Sequence, residues 1–202
     1  MLYTEEMVVK SEVLIRRARL RSENRDRFSG GSKPEYKKIE RPLCVQVDAQ
    51  RSMTGEFVFM AEIAVRAWQT AARDIVLTDE SRSELQAKFL RDLRENADGV
   101  LLAERCGEIY GWGARVPKSN YISDLWVDPA HHGQGVGGAL LGALMAQIVL
   151  DGFAEAEIGT HADNSPAIGL YEKAGFKTYH RSEEWSESFG RKVEKVRMQV
   201  KL

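Results

Sequence analysis

HHGQGVGGALLGALM, residues 131–145, places four glycines, Gly133, Gly135, Gly137 and Gly138, at the head of an apolar stretch with helical spacing. A helix N-terminus leaves its first amide hydrogens unpaired and carries the positive end of the helix dipole. Backbone stripped of Cβ atoms at that place can close around a phosphate group. Tight packing of a helix on a strand asks for one or two glycines. It does not account for these four together, so the run is read as an anion-binding turn.

GQGVGG, residues 133–138, formally matches the dinucleotide pattern G-x-G-x-x-G, and Glu155 falls where a ribose-binding acid should lie. The surroundings do not fit. DPAHH separates the apolar strand YISDLWV (residues 121–127) from the first glycine, and too few residues follow Gly138 to complete a doubly wound sheet. A nucleoside-triphosphate loop requires a lysine after its last glycine, and none occurs between Gly133 and Gln147.

Outward from this turn the chain has ordinary globular composition, 43% hydrophobic and 29% charged, which excludes a disordered or fibrous polymer. A net charge of −1 exerts no general pull on nucleic acid or acidic membranes. Cys44 and Cys106 stand far apart with no CxxC or Cys/His cluster, so neither a disulfide framework nor a metal site is expected. Glu5 and Glu6 occupy the place where a signal peptide needs positive charge, and no apolar run is long enough to span a membrane. The reading is a soluble cytoplasmic protein.

Residues 7–20 suggest a first strand, and Leu43 to Val47 another. Between them the arginines from Arg16 to Arg27 read as a solvated edge diluted by Glu23 and Asp26, and SGGSKPE (29–35) as a linker. From Ala61 to Val76 apolar residues recur at three and four, as in an amphipathic helix. Leu85, Phe89, Leu90 and Leu93 mark a second helix that stops at residues 96–99. VLLAERCGEIYGWGARV then reads as a hairpin turning at Cys106-Gly107-Glu108.

After the glycine turn, a helix to about Leu150, a strand at AEAEIGT (154–160), a short helix at 166–174 and strands at FKTYH and VRMQV complete the pattern. Ser165 is expected to cap the short helix, with Pro166 at its first position and Gly175 ending it with positive φ. The fold class is α/β of the α+β kind: a mixed, mostly antiparallel sheet flanked by helices. The whole of residues 1–202 reads as a single domain with an extension or insertion within about 1–56.

LWVDPAHHGQGVGGALL followed by ADNSPAIGLYEKAGF resembles the two most recognisable segments of the GNAT superfamily of acetyl-CoA-dependent N-acetyltransferases. In that family a strand ending in Val-x-Pro leads to [Arg/Gln]-x-x-Gly-x-[Gly/Ala] at a helix start. An Asn and a helix carrying Leu-Tyr-x-x-x-Gly-Phe come later. The resemblance extends over about residues 61–176. Counted from Pro129, the Arg/Gln position falls on His132; a strict match beginning at Gln134 lies two residues on.

The resemblance implies a pair of parallel strands, residues 121–127 and 154–160, splayed into an acyl-CoA cleft. Leu125, Trp126 and Val127 would hold the pantetheine arm. His132, Gly133, Gln134, Gly135, Val136, Gly137 and Gly138 would hold the diphosphate, and Asn164 would contact the arm. Tyr171 matches the acid beside the departing sulfur. Asp124 is the candidate base, and His161 is the other. The implied reaction moves an acetyl group from acetyl-CoA to a primary amine, on a small molecule, amino acid, polyamine or peptide. No metal, nucleic acid or membrane takes part, and a homodimer is compatible. The alternative is a non-catalytic acyl-CoA-binding module.

Overall fold

VLLAER alternates because both faces of its strand are covered: Leu101 and Ala103 turn to one side, Val100 and Leu102 to the other, and all four are buried. This strand lies within a nine-stranded sheet seen in a computed structural model that describes residues 7–9, 13–17, 43–47 and 53–202 apart from 73, 74 and 188. In chain order the elements are β1 (Met7–Val9), β2 (Val13–Arg17), β3 (Leu43–Val47), α1 (Met53–Ala71), α2 (Asp79–Glu95), β4 (Val100–Arg105), β5 (Glu108–Arg115) and β6 (Tyr121–Val127). They continue with α3 (Val136–Leu150), β7 (Glu155–His161), α4 (Ser165–Lys173), β8 (Lys177–Ser186) and β9 (Arg191–Lys201).

The strand order is β1-β2-β3-β4-β5-β6-β7-β9-β8. Only β2–β3 and β6–β7 are parallel, so the sheet is mixed and mostly antiparallel, as expected. The β4–β5 hairpin turns through Cys106 and Gly107, both at positive φ, which gives the two-residue turn whose twist suits paired strands. Residues 18–42, with the linker and most of the arginine run, lie outside the described residues.

Two helices cover each face. Leu101, Ala103, Ile122, Ile158 and Met198 pack under α3 and α4, with Leu140, Leu144 and Ile148 of α3 fully buried. α3 carries no charged residue and is apolar all round, as a helix held against the middle of a sheet should be. It can approach closely because Gly113 lacks a side chain: a Cβ there would sit 2.9 Å from Leu144 Cδ1. On the opposite face, Met60, Ile63, Ala64 and Trp68 of α1 and Leu85, Phe89 and Leu93 of α2 enclose Val100, Leu102 and Trp112.

Several boundaries differ from the sequence reading. α1 begins eight residues before Ala61 and ends at Ala71, leaving Val76 92% exposed. The apolar period runs on, but Ile75 and Val76 are β-branched and the chain must extend into Thr78, the N-cap of α2. α4 is capped by Asn164, whose Oδ1 accepts from Ala167 N at 3.4 Å, not by Ser165. Asn164 also donates to Thr160 Oγ1 at 3.0 Å, so the one-residue shift ties α4 to β7. No helix among the described residues is long and apolar enough to cross a membrane.

Trp112 joins the two layers, donating from Nε1 to the Met60 carbonyl at 2.8 Å while its ring is 1% exposed. Trp112→Ala is expected to cost about 3–5 kcal/mol by the cavity it leaves. Trp112→Phe, which keeps most of the ring and loses the N–H, should cost about 1 kcal/mol. Urea unfolding of the three proteins checks the order.

Candidate active site

β6 and β7 start side by side and then part. Tyr121 pairs with Glu157 and Ile122 with Ile158, and no pair follows. β6 stays on β5 throughout, but with one extra residue: Arg115 faces Ile122 and Ala114 faces Asp124, leaving Ser123 unmatched. The bulge changes the phase of the strand. Tyr121 O accepts from Val116 N and Asp128 N donates to Tyr110 O, so residues of opposite parity point at β5 before and after it. Leu125 and Val127 therefore turn their backbone groups away from β5, into the gap that β7 has left.

At the wide end of that gap, Pro129–His131 forms a short 3-10 turn capped by Asp128, and residues 132–135 lead into α3. Gly133 (φ +75°) and Gly135 (φ +81°) take left-handed conformations that only glycine adopts without strain. Gly135 is the N-cap of α3, and the first amide bonded back into it is that of Ala139, to Gly135 O. The amides of residues 133–138 reach no backbone carbonyl among the described residues. A Cβ built on Gly133, Gly135 or Gly138 would meet nothing within 4 Å. Gly137 is different, since its Cβ would lie 3.1 Å from Leu170 Cδ2, so this glycine serves packing against α4. The result is an exposed cradle of donor groups at the positive end of a buried helix, with the polarity to take a phosphate-bearing anion.

A cleft of about 520 Å³ runs from this cradle along β6 to α4, between Leu125, Trp126 and Val127 on one side and Asn164, Leu170 and Tyr171 on the other. His132 and the four glycines line it too, and so does Val136. Gln134 does not; its Nε2 folds back toward Ala130 O at 3.4 Å. The His132 ring donates from Nε2 to Val127 O at 3.0 Å, so it braces the strand end as well as facing the cleft. The residues present thus fit a long ligand with a diphosphate at one end: a cradle for the anion, open strand edge for an amide-bearing arm, and a phenol at the inner end.

Behind the strand lies a second cavity of about 470 Å³, which shares Ala71, Trp126 and Asn164 with the first. Asp124 lines it, together with Tyr121, His161 and Trp185. Asp124 and Trp126 lie on one face of β6, and Trp126 Nε1 donates to Asp124 Oδ1 at 3.0 Å. Burial lifts the Asp124 carboxyl above the ordinary carboxylate range, against the pull of the hydrogen bonds from Trp126 and Ser123. Tyr171, 5% exposed, is pushed up mainly by burial and further by Tyr121 and Asp124, so it remains a phenol at neutral pH. His161 is held below its usual value by burial and then by Lys195, which leaves it neutral, with its ring tilted on Phe189 at 4.3 Å. The structure thus places the two candidate bases in one cavity and the phenol across β6 from them.

Sequence reasoning missed Arg66, which reaches from α1 to Asp128 at 2.5 Å and ties α1 to the turn before the cradle. The two are 62 positions apart, and no local signal connects them. Burial raises the Asp128 pKa, but the Arg66 hydrogen bond, the Ala130 amide and the nearby charges outweigh it and set it below normal. A depressed carboxylate gives stability that is present above its unfolded value, about 3.9, and lost as pH falls through the folded one. Asp128→Asn, which keeps an acceptor for the Ala130 amide but loses the charge facing Arg66, is therefore expected to lower the melting temperature at pH 7 by an amount worth up to about 1 kcal/mol, mostly the lost ion pair. The gap should close toward pH 3. Thermal melts across pH measure it.

Glu184 also lines the second cavity but is held by Arg197 at 3.3 Å and Lys195 at 3.8 Å. Glu157, on the neighbouring β7, accepts from Tyr179 at 2.9 Å.

A model of the acetyltransferase (GNAT) family matches residues 59–176. A mycothiol acetyltransferase of Kocuria rhizophila is 41% identical over 92 residues, which is 46% of this chain and 30% of that protein. The chain thus spans between about a quarter and a third of the length of the curated relatives it matches. Among solved structures, a GCN5-related N-acetyltransferase from Rhodopseudomonas palustris aligns with TM-score 0.63 and 18% identity, over 83% of this chain and 100% of that one. The PaiA N-acetyltransferase from Thermoplasma acidophilum, in complex with coenzyme A, aligns with TM-score 0.54 and 18% identity, over 75% and 97%. At such identities these two likenesses concern the fold alone.

Proposed function

Because this chain belongs to the acetyltransferase (GNAT) family, we propose that it moves an acetyl group from acetyl-CoA to a primary amine, with both reactants bound at once. The observation that carries the proposal is the continuous path from the glycine cradle, past the free edge of β6, to Tyr171, with a separate cavity meeting it at Trp126 and Asn164. Holding donor and acceptor on opposite sides of one strand supplies the orientation that a bimolecular reaction lacks in water.

Acetyl-CoA supplies an activated thioester. The residues 133–138 bind its diphosphate through backbone amides and the α3 dipole. Leu125 and Val127 bond the pantetheine amides from the strand edge, and a β6 amide aimed at the thioester oxygen stabilises the charge that develops there. Asp124 takes one proton from the substrate ammonium, its raised pKa bringing a carboxylate closer to the range useful for that task. The freed amine forms the new N–C bond as the C–S bond breaks. Tyr171 donates to the departing sulfur, and the second amine proton replaces the one it gives. The products are the N-acetyl amine, the thiol of CoA and one proton.

Tyr171→Phe tests the phenol. Turnover of acetyl-CoA with a reactive amine should fall about tenfold or more, while calorimetric CoA binding stays within about threefold of the parent. Unchanged turnover under chemistry-limited conditions would assign Tyr171 to packing against Phe176, its neighbour at 6.2 Å. CoA binding by the parent protein with no turnover on any amine would point to an acyl-CoA-binding module instead.

A further inference from the structure

We propose that the Asp124 cavity takes a primary amine borne on a flat aromatic body without a carboxylate, an arylalkylamine in preference to an α-amino acid or a polyamine. This rests on the acetyltransferase reading above and names its acceptor.

The walls are aromatic out of proportion to the chain. Three of its four tryptophans, Trp68, Trp126 and Trp185, face this cavity, although aromatic residues make up only 8% of the sequence. The rings are arranged in two groups. Phe89 meets Trp126 edge-on at 5.0 Å, next to Asp124; Phe189 tilts against Trp68 at 4.9 Å and against His161 at 4.3 Å. Trp185 stands at the rim, 62% exposed, which is unusual for a tryptophan with no partner surface to cover. Ring surface of this kind favours another ring by edge or offset contact and favours an ammonium over its face.

The charges select further. Each cation on the wall already has an acid: Lys88 holds Asp92 at 2.6 Å, while Lys195 and Arg197 share Glu184. Asp124, by contrast, accepts from the Trp126 indole and meets no cation within ion-pair distance among the described residues, and neither do Asp163 and Glu187 of the same wall. A substrate ammonium therefore finds a carboxylate free to receive it. A substrate carboxylate finds its potential partners taken and Asp124 close by, a like-charge approach in a poorly solvated place. A polyamine would satisfy Asp124 but brings no ring to meet Trp68, Trp126 and Trp185, so it gains the carboxylate without the aromatic contact.

The test compares 2-phenylethylamine, phenylalanine, spermidine and propylamine as acceptors at fixed acetyl-CoA, by thiol release, with CoA binding measured by calorimetry on the same preparation. kcat/KM for 2-phenylethylamine is expected to exceed that for phenylalanine by more than tenfold and to exceed those for spermidine and propylamine. Trp185→Ala, at an exposed position that does not endanger folding, should bring the ratio of 2-phenylethylamine to propylamine down toward one. An equal or reversed preference, with turnover on some amine, overturns the acceptor class and leaves acetyl transfer standing. CoA binding without turnover on any amine overturns the acceptor class as well. Failure to bind CoA removes the acetyltransferase reading itself, and the acceptor with it.

Discussion

Gly138→Asp is expected to lose CoA affinity by about two orders of magnitude or more while melting at the temperature of the parent protein. The substitution separates the cradle's two possible roles. Gly138 is the third residue of α3, exposed, with ordinary φ and nothing within 4 Å of where a Cβ would stand. An aspartate there suits the fold, since a carboxylate in the first turn of a helix is stabilising by about 0.3–1 kcal/mol and glycine is a poor helix former. It also puts a negative charge where the diphosphate would sit. One such charge at ~5 Å, with an effective dielectric of about 20, costs roughly 3 kcal/mol, which is about a factor of 100 in binding. If the turn were only a packing device, the variant would bind CoA as the parent does. Calorimetric titration with CoA, beside a thermal melt, reads both quantities.

Asp124→Asn is the second large effect. Replacing a general base removes about 10²- to 10⁴-fold of rate, so kcat should fall by at least about 100-fold with CoA binding retained. The parent's rate should rise with pH as Asp124 loses its proton, on a limb displaced upward from the usual carboxylate range because burial disfavours the charge. The variant should lack that limb. Stability should move the other way from activity. A carboxyl whose folded pKa is raised costs stability once pH exceeds its unfolded value, and the cost grows until pH passes the folded one. Asparagine carries no such cost and still accepts from the Trp126 indole, so the variant should melt no lower than the parent at pH 7 to 8, with the two converging in acid. A variant that loses both activity and stability would place Asp124 in the framework and not in the chemistry.

What could be read from the sequence follows from how local the physics is. The cradle was legible because backbone conformation, helix dipole and missing Cβ atoms are all encoded within residues 133–138, and the positive φ of Gly175 after α4 was legible for the same reason. The splay of β6 from β7 entered through the family resemblance, and the bulge at Ser123 that turns Leu125 and Val127 outward has no signature in YISDLWV. β8 and β9 came out roughly twice as long as FKTYH and VRMQV suggested. Their added residues, such as those of RSEEW, are largely solvent-exposed and so show no apolar alternation. The cap of α4 was misplaced by one residue because Ser-Pro is the stronger local pattern, whereas Asn164 wins through its bond to Thr160 on another element.

The Asp124 cavity was the least legible part. Its rings come from α1, α2, β6, β8 and the connection from β8 to β9, and each of them looks like an ordinary core or surface aromatic within its own segment. Trp68 was visible only as one member of an apolar stripe. Arg66 and Asp128 illustrate the same limit for charge, since nothing within either neighbourhood announces a partner on another layer.

The central claim is that the amides at the head of α3 hold the diphosphate of coenzyme A. A titration of the ¹⁵N-labelled protein with CoA, followed by amide proton–nitrogen correlation spectra, tests it most directly. The account predicts saturable shifts concentrated in Gly133, Gly135, Gly137 and Gly138, of the kind produced when an anion accepts from a backbone N–H, with lesser shifts along residues 125–127. CoA that binds while leaving those four glycine signals in place would contradict it.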